Sequence, residues 1–219
     1  EGAKEVIGQP GRTVILRTDR HILRKNYGAF FRAMVPVLEA KPEVVLVIHC
    51  SIIDEYGSLA ELISTMPGSI DTGDGGWKHP QVHLTLAHDT FRGVSDEGLR
   101  VLYNAADLYV SPTMAEGFGL CLAESMACGT PVVATDYSAI REVVGPGGVL
   151  IPPTSYMTSQ YALRWALVDE PAMTKAVTRL LDKPAERKAL GAAGRLHARK
   201  FQWSTAVDVF DRLITTPTA

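Results

Sequence analysis

Residues 107 to 136, DLYVSPTMAEGFGLCLAESMACGTPVVATD, allow few arrangements of the chain around them. Apolar DLYVS comes first, a turn with two glycines follows, then the apolar and small-residue run LCLAESMAC, and finally TPVVAT. Strand, glycine turn, helix and strand in that order make a parallel βαβ unit, because a helical crossover returns the second strand in the direction of the first. In such sheets ligands bind at the carboxyl ends of the strands, and here that end is the EGFG turn.

The turn has its own chemistry. Gly117, Phe118 and Gly119 are expected to open the helix, leaving their amides unpaired at the positive end of its dipole, where an anion such as phosphate is favoured. Glycine permits the tight turn and lets a ligand approach the backbone. Glu116 stands in the turn, and Glu124 lies about 8–12 Å further along the helix. Two carboxylates flanking an anion pocket do not both bind phosphate, but they accept hydrogen bonds from hydroxyls, as acidic residues do from a ribose. The implied ligand carries hydroxyls, phosphate and hydroxyls again, which is the layout of a sugar nucleotide. The competing reading, glycines that merely turn the chain and two solvated glutamates, fits poorly with Glu124 inside an otherwise apolar helix.

Residues 107–152, with Glu116 and Glu124 as an E-x(7)-E pair, resemble the donor-binding signature of retaining glycosyltransferases of family 4, enzymes of two-domain GT-B architecture. The resemblance implies an α/β fold: a Rossmann-like parallel sheet flanked by helices, one half of a GT-B enzyme. It implies that Glu116, with Gly117, Phe118, Gly119 and Leu120, holds the donor sugar, and that Glu124 binds the ribose. In the family an arginine and a lysine spaced R-x(4 or 5)-K hold the diphosphate. Arg20 and Lys25 fit that spacing in the basic turn DRHILRKN, with Arg24 as the rival arginine and a solvated basic loop as the competing reading. Contacts to the base are expected from about Arg92, Gly93 and Val94. Glu116, Arg20 and Lys25 are thus the residues expected to take part in transfer. No cofactor or metal is expected: the nucleotide-diphosphate sugar is a substrate, and the transfer is retaining and metal-independent.

Composition bounds the alternatives. With 219 residues, 46% of them hydrophobic, the chain can bury one substantial core. A net charge of −2 with both signs interspersed gives no basic stripe for nucleic acid and no polybasic membrane patch. No apolar run has the length of a transmembrane helix. Cys50, Cys121 and Cys128 are an odd number without metal-site spacing, which together with the lack of a visible leader points to the cytoplasm.

Along the chain, residues 1–12 read as an arm or linker and 13–219 as the nucleotide-sugar-binding domain. Expected strands are TVILRT, residues 43–49, QVHLTLAHD and GGVLIPP. Expected helices run from Asn26 to Ala40 (kinked or shortened by Pro36), over 54–65, and from Ser95 as N-cap with a buried stripe of Leu99, Leu102, Tyr103 and Ala106. His88 and Asp89 would face the pocket from the end of the third strand. GDGGWK lacks the spacing of a phosphate loop, so residues 67–80 read as a flexible surface loop. Glu142 reads as structural. Residues 153–168 match the family poorly, and whether they cover the pocket, pack on the sheet or meet a partner is left open. From 169 onward the chain is helical, and its last helices resemble a pair that packs against the sheet.

The resemblance covers only the second half of a GT-B enzyme, so a separate N-terminal domain or subunit is expected to supply most of the acceptor site. The acceptor itself is not legible. Two other classes remain: a non-catalytic nucleotide-binding or interaction module, and half of a sugar-nucleotide epimerase.

Overall fold

The computed structural model describes residues 2–50, 53–54, 57–86 and 94–215. Its sheet is built from β1 (Thr13–Arg17), β2 (Val44–Cys50), β7 (Val82–Leu86), β8 (Leu108–Ser111), β9 (Val132–Thr135) and β10 (Gly148–Ile151). They stand in the order β10-β9-β8-β1-β2-β7, each pairing parallel. Counted along the chain this is the doubly wound order 3-2-1-4-5-6, which reverses between β1 and β8. The crevice beyond the ends of those two strands is therefore where a ligand belongs.

The apolar run of β1 is buried on both faces because helices cover both. Val14 and Leu16 enter one layer of core with Val45, Val47, Leu122 and Met126, while Ile15 enters the other with Phe30, Met34, Leu46 and Leu59. The first layer is closed by α4 (Asp96–Ala105), α5 (Leu120–Ala127), α6 (Ile140–Val144) and α8 (Pro184–Ala198). The second is closed by α2 (Tyr27–Ala40), α3 (Leu59–Ser64) and α7 (Glu170–Asp182).

α2 continues through Pro36 to its end at Ala40, so the proline does not shorten it. Pro36 is exposed, on the side where the carbonyl it leaves unpaired meets water.

Several segments differ from expectation, and one without a firm expectation takes a definite form. The stretch read as an arm carries a short helix, α1 (Gly2–Val6), tied down by Lys4, whose Nζ donates to Asp107 and to the Arg12 carbonyl at 2.7 Å each. The helix expected over 54–65 begins only at Leu59. Ahead of it β3 (Ile53–Asp54) pairs antiparallel with β4 (Gly57–Ser58), and Gly57 sits at φ +105°, outside the helical region. Ser58 then caps α3 through Ala60 N.

Residues 67–80 hold a small hairpin, β5 (Ile70–Asp71) with β6 (Trp77–Lys78). Its turn is fastened by Asp71 and Asp74 accepting from the amides of Gly73 and Gly76, and Trp77 packs on the core. Residues 153–168 form an antiparallel hairpin, β11 (Pro153–Thr158) with β12 (Arg164–Val168). Trp165 and Val168 are buried, and Ala166 N donates to Met114 O at 2.9 Å, so the hairpin braces the loop that follows β8.

α8 sits close to the turn after α5. A Cβ at Gly191 would stand 2.1 Å from the Gly129 carbonyl oxygen, so no larger residue fits without moving the helix. Gly191→Ala should lower Tm by about 2–12 °C, since overpacking costs ~1–3 kcal/mol and a domain of this size shifts ~2–4 °C per kcal/mol. An unchanged melting curve in scanning calorimetry would show that α8 is not seated there.

The last helix, α9 (Trp203–Thr215), departs from the expected helix pair: it has no buried residue. Trp203 is 84% exposed and Ile214 81%. Its apolar stripe finds no neighbour among the described residues, apart from an apolar recess of about 630 Å³ that it shares with Phe118, Leu120 and Phe201.

Candidate functional site

Two loops meet beyond the point where the strand order reverses. One leaves β1 and passes through a single 3₁₀ turn at Leu23–Lys25; the other leaves β8 and runs to α5. They are stitched together: Met114 N donates to Arg24 O at 2.9 Å, and the Arg24 guanidinium donates to Ala115 O. Ser138, held at φ 53°, accepts from Glu116 N at 2.9 Å and fixes the turn from a third side.

Glu116 is the hub. Its carboxylate lies 2.8 Å from Arg24 and 2.6 Å from Lys25, and accepts from the Thr113 hydroxyl at 3.0 Å. Lys25 also reaches Asp19, at 2.5 Å. Burial would lower the pKa of the Lys25 ammonium, but the Asp19 and Glu116 carboxylates outweigh it and the net shift is upward. Lys25 therefore stays charged across the neutral range.

Asp19 is buried and is backed by Arg17, 3.5 Å away, whose guanidinium is wholly buried. The Arg17 guanidinium lies 4.1 Å from the Tyr27 ring centroid and donates to Lys25 O. Arg20 stands exposed in the same turn. Of the two rival arginines it is Arg24 that pairs with Glu116, because the 3₁₀ turn carries it across to the second loop.

The mouth of α5 opens later than expected. Leu120 is its first residue, and Gly119 is the N-cap at φ 98°, with no side-chain cap. At that backbone angle a Cβ is strained, and it would also press on Leu122 at 3.0 Å. Gly117 and Phe118 lie in the loop ahead, both exposed. The uncapped mouth offers first-turn amides at Leu120 and Cys121, beside Arg24 and Lys25, an arrangement suited to a diphosphate. Burial, with Asp19 nearby, pushes the Cys121 thiol up to about 11, so it stays neutral there.

Glu124 lies on the far side of the mouth. The Tyr103 hydroxyl donates to its Oε2 at 2.8 Å, and the glutamate lines a cleft of about 420 Å³ with Phe118, Leu120, Ala123 and Arg195. Val94 is half-buried just ahead of α4. His88, Asp89, Arg92 and Gly93 fall outside the described residues. Glu142 is exposed on α6, and its carbonyl faces His197 Nε2 at 3.0 Å.

Asp19, Tyr103, Thr113 and Ser138 were not singled out from the sequence. Asp19 and Thr113 carry a signal that was available, their position at the ends of β1 and β8. Tyr103 and Ser138 carry none, since each reads as an ordinary helix or loop residue.

A family model described as "Glycosyl transferases group 1" matches residues 81–197, which include both Glu116 and Glu124. Over 133 residues the chain is 38% identical to an MMP alpha-(1->4)-mannosyltransferase of Mycolicibacterium hassiacum, covering 57% of this chain and 29% of that one. A phosphatidyl-myo-inositol mannosyltransferase of Mycobacterium leprae is 28% identical over 220 residues, 98% of this chain and 50% of the relative. Among solved structures, sucrose-phosphate synthase from Thermosynechococcus elongatus overlays with a TM-score of 0.73 at 26% identity, across 97% of this chain and 47% of that one. The chain thus spans half or less of the length of these relatives. A parallel sheet that reverses beside an uncapped helix mouth, together with a family match over more than half its length, settles its kinship: the chain belongs to the glycosyl transferases group 1 family.

Proposed function

We propose that this chain is the donor-binding half of a retaining glycosyltransferase that moves a hexose from a nucleotide-diphosphate sugar to an acceptor hydroxyl. The observation that carries this is the pairing of Arg24 and Lys25 with Glu116 beside the uncapped mouth of α5. Two fixed cations and open amides make a seat for the leaving diphosphate, and they supply the positive charge that a divalent metal would otherwise bring. The transfer is accordingly metal-independent. Arg20, exposed in the same turn, adds charge at its edge. Glu116, Gly117, Phe118 and Gly119 hold the sugar; Glu124 anchors the ribose; Gly93 and Val94 approach the base.

In the transfer, the bond from the anomeric carbon to the diphosphate breaks while the acceptor oxygen bonds to the same face. Charge growing on the leaving phosphate is met by Lys25, Arg24 and the helix amides, and Glu116 orients the sugar and tolerates oxocarbenium-like charge. A second half, in the same polypeptide or a partner subunit, contributes the acceptor site and covers the exposed face of α9. This is supported by the fraction of its relatives that the chain spans and by the apolar stripe left bare. Its compartment is the cytoplasm, on the odd cysteine count. Among the described residues no helix is long and apolar enough to cross a membrane.

The test is a thermal-shift panel of UDP, GDP and ADP. One of them should raise Tm by several degrees at saturating concentration, and Glu124→Ala should cut that ligand's affinity about 10-fold or more, as loss of a charged hydrogen bond does. A panel in which no nucleotide stabilises the wild-type chain would refute the reading, as would an Ala variant that binds like the wild type.

A further inference from the structure

Buried beneath Glu124 is a chain of hydroxyls that the sugar-nucleotide chemistry above leaves without a task. The Tyr103 hydroxyl lies 2.8 Å from Glu124 Oε2 and 2.8 Å from Thr18 Oγ1. Thr18 Oγ1 in turn lies 3.4 Å from the Tyr109 hydroxyl, which accepts from Thr18 N at 3.3 Å. Thr18, Tyr103 and Tyr109 are all buried, and they come from the end of β1, from α4 and from β8.

Proton counting fixes the direction of this chain. An ionised carboxylate only accepts, so Tyr103 must donate to Glu124. The Tyr103 oxygen then accepts from the Thr18 hydroxyl, Thr18 Oγ1 accepts from the Tyr109 hydroxyl, and Tyr109 accepts from the Thr18 amide. Every hydroxyl proton has one destination, and the line ends on one oxygen of one carboxylate. Burial, foremost, raises the Tyr103 phenol well above its ordinary range, so it remains a donor at any physiological pH.

We propose that Tyr103 is a positioning residue for nucleoside recognition: by holding Oε2 it fixes the Glu124 rotamer and turns Oε1 towards the ribose hydroxyls. The proposal rests on the reading of Glu124 as the ribose anchor and adds what aims it. Glu124 Oε1 has no partner among the described residues, and the side chain stands between the 420 Å³ cleft and a smaller one of about 230 Å³ that Tyr103 itself lines. A glutamate on a helix has three rotatable bonds. Held at one oxygen from beneath, it meets a diol with that freedom already spent, which is how a fixed supporting shell sharpens a binding group.

The experiment compares UDP, GDP and ADP each with its 2′,3′-dideoxy form, by titration calorimetry on the wild-type chain and on Tyr103→Phe. The wild type should bind the ribonucleotide of its preferred base at least 10-fold more tightly than the dideoxy form. Tyr103→Phe, which keeps the ring and its packing, should weaken the ribonucleotide about 5- to 20-fold and leave the dideoxy form unchanged, so that the ratio collapses. Thr18→Val, one step further down the chain, should narrow the ratio by a smaller factor. If the wild type discriminates and Tyr103→Phe keeps the full ratio, the positioning role is overturned while Glu124 stands as ribose anchor. If the variant weakens both ligands equally, Tyr103 is only a packing residue. A wild-type chain that binds both forms alike overturns the ribose assignment itself, and this inference with it.

Discussion

Lys25→Ala is expected to lose affinity for a nucleoside diphosphate by about 10- to 100-fold, the size of one charge-assisted hydrogen bond at roughly 1.5–3 kcal/mol. Binding of the corresponding nucleoside should change by less than about 2-fold, because Lys25 lies with Glu116 and Asp19 while Glu124 is held separately by Tyr103. Calorimetric titration of both ligands measures the contrast, and equal losses would remove Lys25 from the phosphate seat. The pH dependence follows from the sign of its shift. The folded-state pKa of Lys25 is raised above the ordinary 10.5. Its contribution to stability is therefore fully present below that value and is lost as pH rises through the higher folded pKa. Its charge, and hence its share of diphosphate binding, should stay flat from pH 6 to 9, so a decline centred near neutrality must come from another group.

Asp19→Ala should be the most damaging single substitution near the site. Asp19 is the carboxylate that Arg17 and Lys25 share, and Ser111 Oγ adds a contact at 3.4 Å. Without it the wholly buried Arg17, whose Nε and Nη1 have no partner among the described residues, keeps its bond to the Lys25 carbonyl and its stacking on Tyr27 and Phe30 but loses its anionic partner. Stripping one partner from a buried pair costs ~3–5 kcal/mol, a large share of the ~5–15 kcal/mol that holds a domain together. Tm should fall by about 6–20 °C. The double variant Arg17→Met, Asp19→Asn should recover part of that loss, because removing both buried charges is far milder than orphaning one. An Asp19→Ala chain melting within about 2 °C of the wild type would show that these charges do not hold each other.

What the sequence reveals here is what local pattern determines. The unit from β8 to β9 is legible because apolar strands, a glycine turn and a small-residue helix lie next to one another in the chain, and the family resemblance rests on the same residues. The start of α5 is not legible because three candidate openers stand in a row, and only Gly119 takes the left-handed angle that starts the helix. The place of residues 153–168 is not legible because, although β11 and β12 pair with each other, where the hairpin docks depends on a partner met in space, here Met114 on another loop. Arg20 fits the spacing to Lys25 and Arg24, next to the lysine, does not; yet a three-residue turn makes Arg24 the one that reaches Glu116. Tyr103 sits in what reads as a packing stripe, and its hydroxyl partner is 21 residues away. Asp19, a charge at the end of a strand, looks like a solvated residue until Arg17 is seen beneath it.

Glu116 is engaged by two cations and a hydroxyl. A free hexose brings only neutral hydroxyls, each worth ~0.5–1.5 kcal/mol net, against charge-assisted bonds of ~1.5–3 kcal/mol. It has no means of prising the carboxylate loose. In the function proposed above a diphosphate has that means: it binds Arg24 and Lys25 where they stand and weakens their hold on Glu116, which turns to the hexose tethered behind it. On this reading the activated sugar is admitted in sequence, its phosphates acting as the pass and its ring inspected afterwards, so that monosaccharide at millimolar levels goes by unbound.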